Sequence, residues 1–421
     1  MSDTLRSLFS GSRFTPPNNN NRPMNSGMDS DGGLQTGHQE VRPDIAPSAV
    51  IRVLGVGGGG NNAVMRMHHA KLSGVEFVAV NTDAQALFHN PVPQKINIGR
   101  GTTRGLGAGA NPDIGKKSAE ESSEEIKKAI EGTDLLFITA GLGGGTGSGG
   151  APYIAELARS MGILTVGVVT KPFSFEGLRR RKQAEEALES LRGKVDTLIT
   201  IPNDRILSLI DKTTPLTEAF EVVDEILKHG IEGIASLITV HGLVNVDFAD
   251  VKSVMQDAGS ALMGIGYGTG DSRASEAARA AIDSPLLELS ISGAKGILFN
   301  VTGGTDLSMF EVDEAARIVT EAADPDANII FGAVIDDSYT GQIKCTVIAT
   351  GFEEHQSPTT ISSSNPAFRS LTNYKKPQPE ERKEDRMAPT NKDRMAVQST
   401  AVHLDEEELE VPTFMRKKIG K

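Results

Sequence analysis

The chain has 421 residues and a formal net charge of −12 at pH 7, so bulk electrostatic attraction to nucleic acid is not expected. Its single cysteine, Cys345, excludes an internal disulfide framework and fits a reducing cytoplasm. No apolar run approaches the roughly 18 residues that a membrane-spanning helix needs, and the polar N-terminus lacks a signal-peptide core. We therefore expect a cytoplasmic protein with room for two folded domains and tails, and without direct membrane insertion.

The first 48 residues differ in composition from the segment after them. They are rich in Asn, Ser, Gly, Asp and Pro and have no apolar periodicity. Such a composition is typical of a disordered arm, because it offers too little apolar surface to bury. We expect ordered structure from residue 49 onward.

A first glycine loop follows a predicted strand at residues 49–56. Gly55, Gly57 and Gly60 satisfy the G-x-G-x-x-G dinucleotide fingerprint, and a helix is predicted directly after them. Asp83, after the next predicted strand, stands where an NAD site places its ribose-binding carboxylate. It would equally serve as the N-cap of the next predicted helix. These features leave a soluble NAD-dependent dehydrogenase as one interpretation.

A second glycine-rich loop at residues 105–112 precedes a predicted helix at about residues 112–130. Its Gly115-Lys116 pair is similar to part of a P-loop. That motif requires Ser or Thr directly after the lysine, and a glycine where Ala110 stands. The sequence therefore does not indicate a P-loop kinase or GTPase.

A third glycine loop occupies residues 141–150, after a predicted buried strand. A helix is predicted from residue 151, with Pro152 in its first turn. Glycines let consecutive backbone N–H groups turn toward one point, and the helix dipole adds partial positive charge there. Thr146 and Ser148 add hydroxyl groups. This context favours a phosphate-binding loop over a flexible linker.

Strands and helices continue to alternate, with strands predicted at residues 163–169 and 195–201. This alternation predicts an α/β fold with a doubly wound, mostly parallel sheet. Each glycine loop described above comes after a strand, so we expect a site built from several loops at the carboxyl edge of the sheet. A long, largely buried central helix is predicted at residues 214–238, followed by a second, smaller α/β domain.

Beyond residue 353 the composition changes again. Residues 353–403 are polar, of mixed charge and without periodicity, which is typical of a flexible linker. Apolar residues return at 409–415, between an acidic run at 405–408 and a basic run at 416–418. An apolar cluster at the end of a tether is typical of a docking peptide, although an incidental tail is the alternative.

Five motifs in this order resemble the FtsZ family, the bacterial tubulin-like cell-division GTPases. They are Gly-Gly-Gly-Asn-Asn-Ala at 58–63, Asn-Thr-Asp-Ala-Gln at 81–85, Gly-Ala-Gly-Ala-Asn-Pro at 107–112, Gly-Gly-Gly-Thr-Gly-Ser-Gly at 143–149 and Asn-Val-Asp-Phe-Ala-Asp at 245–250. The resemblance covers about residues 49–352 and returns in the tail, at 411–417. One departure is Ser148, where many members have Thr.

The resemblance implies a tubulin/FtsZ-like fold and a domain order. The order is a disordered N-terminal arm at 1–48, a GTP-binding domain at 49–213, the central helix at 214–239, a C-terminal domain with the catalytic loop at 240–352, a disordered linker at 353–403 and a docking peptide at 404–421.

The same resemblance implies a site for GTP or GDP, with Mg²⁺ held mainly by the nucleotide phosphates. Backbone N–H groups would hold the phosphates, and residues 108–111 would sense the γ-phosphate. The implied GTP-binding residues are Gly58, Gly59, Gly60, Asn61, Asn62, Asn81, Asp83, Gly109, Ala110, Asn111, Gly145, Thr146, Gly147, Pro172, Glu176, Arg180, Asn203, Phe220 and Asp224.

Two pairs of these residues have the four-residue spacing of one helix face. Glu176 and Arg180 would hold the ribose, while an exposed ion pair is the alternative that the spacing alone favours. Phe220 could stack on a purine or belong to the core. The Asp224 carboxylate could accept the N1–H and 2-amino groups of guanine, which adenine does not offer, so selectivity should be strong.

The resemblance also implies a catalytic loop with Asn245, Asp247 and Asp250. In this family the loop inserts into the nucleotide site of the neighbouring subunit, where the carboxylates polarise the attacking water. Without the resemblance, Asp247 would be an N-cap and Asp250 a first-turn carboxylate of the next helix. A head-to-tail contact of this kind generates open filaments.

The implied function is a GTPase that polymerises into filaments forming the bacterial division ring at mid-cell. Its implied partners are further copies of itself and, through the docking peptide, membrane-tethering and regulatory division proteins. Besides the dehydrogenase, a non-catalytic GTP-binding scaffold is the other alternative. The implied docking residues are Val411, Pro412, Phe414, Met415, Arg416 and Lys417.

Overall fold

Strands and helices alternate through the first part of the described chain. The structure is a computed structural model and describes residues 49–352 except residues 241, 243, 245, 288 and 289. The first elements are β1 (Ile51–Val56), α1 (Gly57–His69), β2 (Val75–Asn81), α2 (Ala84–His89), β3 (Gln94–Asn97), α3 (Arg100–Thr103), α4 (Pro112–Glu121), α5 (Ser123–Ile130), β4 (Leu135–Gly141), α6 (Thr146–Ser160), β5 (Leu164–Lys171), a 3₁₀ turn (Ser174–Glu176), α7 (Leu178–Arg192), β6 (Thr197–Pro202) and α8 (Asn203–Ile206).

A long helix begins the second part. Its elements are α9 (Leu216–Thr239), α10 (Phe248–Met255), β7 (Gly259–Thr269), α11 (Arg273–Ile282), β8 (Gly296–Gly303), α12 (Met309–Ala322), β9 (Asn328–Ile335), a 3₁₀ turn (Asp337–Tyr339) and β10 (Gln342–Thr350). The predicted arm, linker and docking peptide lie outside the described residues.

The ten strands form one sheet in the order β3-β2-β1-β4-β5-β6-β7-β10-β8-β9. Neighbouring strands are parallel except that β10 is antiparallel to both β7 and β8. β6 and β7 join the two parts through three residue pairs only, from Thr197 opposite Gly259 to Ile199 opposite Ala261. This topology confirms the predicted doubly wound, mostly parallel sheet and its smaller second part.

The predicted glycine loops are partly helix turns. α1 begins at Gly57, and α6 begins at Thr146 with Gly145 as its N-cap. The predicted start of this helix at residue 151 is therefore wrong, and Pro152 lies inside α6 rather than in its first turn. Glycine has a low intrinsic helix propensity, and here tertiary packing overrides it.

Close backbone packing explains why glycine occupies these turns. A Cβ on Gly149 in α6 would lie 1.8 Å from the carbonyl oxygen of Pro112 in α4, so only glycine lets the two helices approach. The helix predicted at residues 112–130 is also two helices. It breaks at Ser122, whose hydroxyl accepts a hydrogen bond from the Gly99 N–H at 3.1 Å.

Helix α9 carries the chain from one edge of the sheet to the other. It has 24 residues and is therefore about 36 Å long. It begins after the loop at the carboxyl end of β6 and ends at Thr239, whose hydroxyl donates to the Ala235 carbonyl at 2.9 Å and lies 3.4 Å from the Ser73 carbonyl oxygen. Because Ser73 lies just before β2, this end of α9 is at the amino edge of the parallel strands. Its apolar face packs in the largest part of the core.

We predict that Gly149→Ala separates α4 from α6 and lowers the free energy of unfolding by at least about 2 kcal/mol, because the new methyl group has no space. Gly144→Ala is the matched control from the same glycine-rich segment, since its added Cβ meets no atom within 4 Å. Urea unfolding of the nucleotide-free chain measures both changes. Equal stability of the two variants would contradict this packing.

Candidate nucleotide-binding site

The predicted binding residues converge on the carboxyl edge of five neighbouring strands. β2, β1, β4, β5 and β6 are adjacent and parallel, so the loops after their last residues meet at one edge. The structure brings together on this edge the predicted residues of these loops, namely Gly58, Gly59, Gly60, Asn61, Asn62, Asn81, Asp83, Gly145, Thr146, Gly147, Pro172 and Asn203.

Two helix N-termini lie side by side at the centre of this edge. A Cβ on Gly57 in α1 would come within 2.9 Å of the backbone nitrogen of Gly147 in α6. Neither N-cap residue, Val56 or Gly145, makes a side-chain cap hydrogen bond. The first N–H groups of a helix have no intrahelical partner, and the helix dipole makes this end positive. The paired N-termini therefore suit the phosphate groups of a nucleotide.

Hydroxyl and amide side chains hold these turns in place. Thr146 Oγ1 and Thr82 Oγ1 are 2.6 Å apart and buried, which ties α6 to the loop after β2. Ser148 Oγ accepts a hydrogen bond from the Gly143 N–H at 2.8 Å, so this hydroxyl shapes the glycine loop. The amide of Asn61, in the orientation that satisfies its neighbours, donates to the Gly55 carbonyl at 2.7 Å.

Asp83 is the N-cap of α2. Its Oδ1 accepts hydrogen bonds from Gln85 N at 2.9 Å and Ala86 N at 3.1 Å. An isolated bridge to Leu106 joins it to the second glycine-rich loop. Asn81 Oδ1 accepts from the Asp83 N–H at 3.3 Å. The capping interpretation is thus observed, and a contact of either residue with a nucleotide stays a prediction.

The second glycine-rich loop packs against the start of α6. A Cβ on Gly145 would lie 2.8 Å from both Ala108 Cβ and Asn111 N. Ala110 has φ of +56°, a left-handed conformation that is strained for a residue with a Cβ. Gln183 Nε2 of α7 donates to the Ala110 carbonyl at 3.1 Å. The loop of Gly109, Ala110 and Asn111 therefore borders the paired N-termini, and its contact with a nucleotide stays a prediction.

Glu176 and Arg180 form the ion pair that their spacing allows, at 2.9 Å between Oε2 and Nη1. Glu176 Oε1 also accepts the Phe173 N–H at 2.8 Å, so both carboxylate oxygens are engaged. Arg180 lies against the third glycine loop, because a Cβ on Gly143 would be 2.7 Å from Arg180 Cγ. The pair therefore borders the third glycine loop, and its role toward a ribose stays a prediction.

Phe220 and Asp224 lie on one face of α9, and the Phe220 ring there is partly exposed to solvent. The Phe220 ring meets the Phe173 ring edge-on, with centroids 5.5 Å apart, yet is 41% exposed. It is therefore not a plain core residue, and part of its ring surface is free to stack on a further ring.

Asn203 is buried, and its Oδ1 has no hydrogen-bond partner, which suits a donor from a ligand.

Arg66 is a site residue that the sequence does not predict. Its Nε donates to Asp224 Oδ2 at 2.9 Å, and Arg66 also reaches Glu221 at 3.1 Å. Burial raises the pKa of Asp224 to about 6 although the Arg66 guanidinium acts to lower it. Arg66 and Asp224 are 158 positions apart, so no local spacing relates them.

Asp247 and Asp250 come between the end of α9 and the end of α10, which both lie at the amino edge of the parallel strands. Asp247 is the N-cap of α10 and accepts the Asp250 N–H at 2.8 Å; both side chains are exposed. The other end of α10 is fixed at the amino end of β6, where the Thr197 hydroxyl donates to the Met255 carbonyl. Asn245 lies outside the described residues, as do the six predicted docking residues. Within one chain the structure does not bring these carboxylates to the glycine turns.

Two absences concern the described residues only. No helix in this part of the chain is long and apolar enough to cross a membrane. Among the same residues, no three His, Cys, Asp or Glu side chains are grouped to hold a metal ion.

The geometry of this edge is that of a nucleotide-binding protein with a doubly wound sheet. Two helix N-termini lie where a P-loop protein has its phosphate-binding loop. Residues 50–211 match the GTPase domain of the Tubulin/FtsZ family, and residues 259–353 match the C-terminal domain of the FtsZ family. The chain belongs to the FtsZ family of tubulin-like GTPases. This membership contradicts the NAD-dependent dehydrogenase interpretation.

Solved structures give the same result. An empty FtsZ dimer from M. jannaschii is 47% identical with a TM-score of 0.70, over 72% of this chain and 89% of that one. A point mutant of FtsZ from M. jannaschii is 48% identical with a TM-score of 0.70, over 72% and 92%. A GTPγS-bound protofilament of CetZ2 from Haloferax volcanii is 22% identical with a TM-score of 0.62, over 72% and 94%, which shows the fold alone.

We predict that Asp224→Asn stabilises the nucleotide-free chain. The folded-state pKa of Asp224, about 6, lies above its ordinary value of 3.8. The folded protein therefore holds the proton more tightly, and this stability is lost as pH rises through about 6. At pH 7.5 the variant should gain about 1–3 kcal/mol in urea unfolding. The gain should shrink toward pH 4, and a variant less stable than the wild type at pH 7.5 would contradict the burial of this charge.

Proposed function

We propose that this protein binds GTP, assembles head to tail into filaments and hydrolyses GTP at the contact between subunits. One observation carries the proposal. The glycine turns lie at the carboxyl edge of the sheet, whereas the exposed Asp247 and Asp250 come between two helix ends at the amino edge. Helix α9, which is about 36 Å long, runs between these two edges. A second molecule stacked on the first would bring one edge against the other.

The phosphates accept hydrogen bonds from the free N–H groups of Gly58 and Gly59 and of residues 145–147, with residues 108–111 beside the γ-phosphate. The N–H groups of Gly60, Asn61 and Asn62, which the sequence also assigned to the phosphates, are paired inside α1. Two convergent helix N-termini support this arrangement, because they offer donors and positive potential without a lysine. Mg²⁺ would be held mainly by the phosphates themselves and would neutralise charge there. Glu176 and Arg180 border the same turns, which places them for the ribose.

Guanine lies on Phe220 and pairs with Asp224. The partly exposed ring offers a stacking surface, and the ionised carboxylate accepts the N1–H and 2-amino groups of guanine. Adenine lacks this donor pair, so it would give the largely buried Asp224 carboxylate no hydrogen bonds beyond the one from Arg66. The unpaired Asn203 Oδ1 offers a further acceptor for the base.

The neighbouring subunit supplies Asp247 and Asp250, with Asn245 from the same loop. The two carboxylates accept hydrogen bonds from a water molecule and orient it toward the γ-phosphorus. The water oxygen bonds to this phosphorus while the bond to the β–γ bridging oxygen breaks, which leaves GDP and inorganic phosphate. Positioning accounts for most of the catalysis in phosphoryl transfer, so hydrolysis depends on assembly.

The contact between two different surfaces is heterologous and generates an open filament. The FtsZ dimer from M. jannaschii supports self-association of this chain at 47% identity. We propose that the filaments form the division ring at mid-cell in the cytoplasm. Residues 411–417 dock membrane-tethering and regulatory proteins. The GTP-binding domain ends at residue 213, and the central helix ends at residue 239, where the C-terminal domain begins.

We predict that GTP hydrolysis per subunit rises steeply above a threshold protein concentration, because an isolated subunit has only half of the site. Asp250→Ala should lower turnover above the threshold at least about 100-fold while GTP affinity changes less than about twofold. Asp257→Ala, an exposed aspartate beyond the end of α10, is the matched control.

Phosphate release against protein concentration measures turnover, and equilibrium binding measures affinity. Turnover per subunit that is independent of concentration would contradict the interface mechanism. Turnover that survives Asp250→Ala would contradict the catalytic assignment, and absence of any hydrolysis would favour the non-catalytic scaffold.

A further inference from the structure

One carboxylate ties the loop after β5 to the segment after β6. Asp204 in α8 accepts the Ser174 N–H on Oδ1 at 2.8 Å and the Ser174 hydroxyl on Oδ2. Arg181 of α7 reaches Asp204 Oδ2 at 3.1 Å and also donates to the Ser174 hydroxyl oxygen. Four hydrogen bonds therefore join three separate segments around the side chains of Ser174, Arg181 and Asp204.

The charge state of this carboxylate agrees with a fixed arrangement. Burial acts to raise the pKa of Asp204, but the Ser174 hydroxyl, the Ser174 N–H and the Arg181 guanidinium outweigh it and leave the pKa below its ordinary value. The Arg181 and Asp204 side chains are 47% and 38% exposed. Ion pairs this exposed contribute little to folding stability. The effect of the cluster is therefore on the geometry of the loop that Ser174 belongs to.

Ser174 begins the 3₁₀ turn that ends at Glu176. Within this turn Glu176 accepts the Phe173 N–H and pairs with Arg180. The Phe173 ring contacts both the Phe175 ring and the Phe220 ring, with centroids 5.0 Å and 5.5 Å apart. A shift of Ser174 would thus move the Glu176 carboxylate and the aromatic side of the proposed base pocket together.

We propose that Asp204 is a positioning residue for ribose recognition: it anchors the turn from which Glu176 meets the ribose hydroxyl groups. The inference rests on the proposed ribose role of Glu176. Asn203, the residue before Asp204, has a buried and unpartnered Oδ1. Asp204 therefore links the segment that faces the base to the turn that faces the sugar.

The test compares two nucleotides on the nucleotide-free full chain. GTP offers Glu176 both ribose hydroxyl groups, whereas 2′,3′-dideoxy-GTP offers neither and keeps the same base and phosphates. We expect the wild type to prefer GTP. Asp204→Asn and Ser174→Ala should each lower the affinity for GTP at least about fivefold. Each should change the affinity for 2′,3′-dideoxy-GTP by less than about twofold. Glu186→Gln, which neutralises an exposed ion pair with Lys182 on α7, should change neither affinity.

A loss of the same size for both nucleotides would overturn the inference, because it would indicate general damage to the pocket. Unchanged GTP affinity in both variants would also overturn it. The Glu176→Ala variant distinguishes a failure of the Asp204 inference from a failure of the proposed ribose role of Glu176. If Glu176→Ala abolishes the preference for GTP while Asp204→Asn retains it, only the Asp204 inference is wrong. If Glu176→Ala retains the preference, the ribose role of Glu176 is itself wrong.

Discussion

The length and direction of α9 are the constraint on which the proposed mechanism depends. The helix starts beside the loops that are proposed to face the nucleotide and ends where Thr239 lies next to Ser73, at the opposite edge of the sheet. The buried apolar face of α9 packs in the core between these two ends. Because Asp247 and Asp250 come after this helix, one chain holds the two halves of the proposed site far apart. Assembly is then the simplest way to unite them.

The proposed base pocket is also a place where function opposes stability. A largely buried carboxylate at Asp224 costs free energy, and one guanidinium, from Arg66, offsets only part of it. Guanine would offer this carboxylate two hydrogen-bond donors, so GTP binding would offset the free-energy cost of burying it. The strained φ of Ala110, beside the paired helix N-termini, also costs free energy in the folded state. Both features lie on the edge where the nucleotide is proposed to bind.

Much of the fold could be predicted because its signals are local. Strand–helix alternation predicts the parallel sheet, and four-residue spacing predicts the shared face of Phe220 and Asp224 on α9. The Glu176–Arg180 ion pair also forms, although Glu176 lies in the 3₁₀ turn before α7 rather than on the same helix. The start of α6 is not predictable in this way, because glycine usually indicates a loop, whereas here close approach to α4 requires it. The Arg66–Asp224 contact could not be predicted, since its residues are distant in the chain and meet only through packing.

The most direct test mixes two variants that each lack one half of the site. Asp250→Ala retains the nucleotide edge, and Asp224→Ala retains the carboxylate loop. We expect negligible GTP hydrolysis by either variant alone. In an equal mixture, about a quarter of random head-to-tail contacts would pair two intact halves and hydrolyse GTP. Turnover of the mixture no higher than the sum of the separate variants would contradict a site shared between subunits.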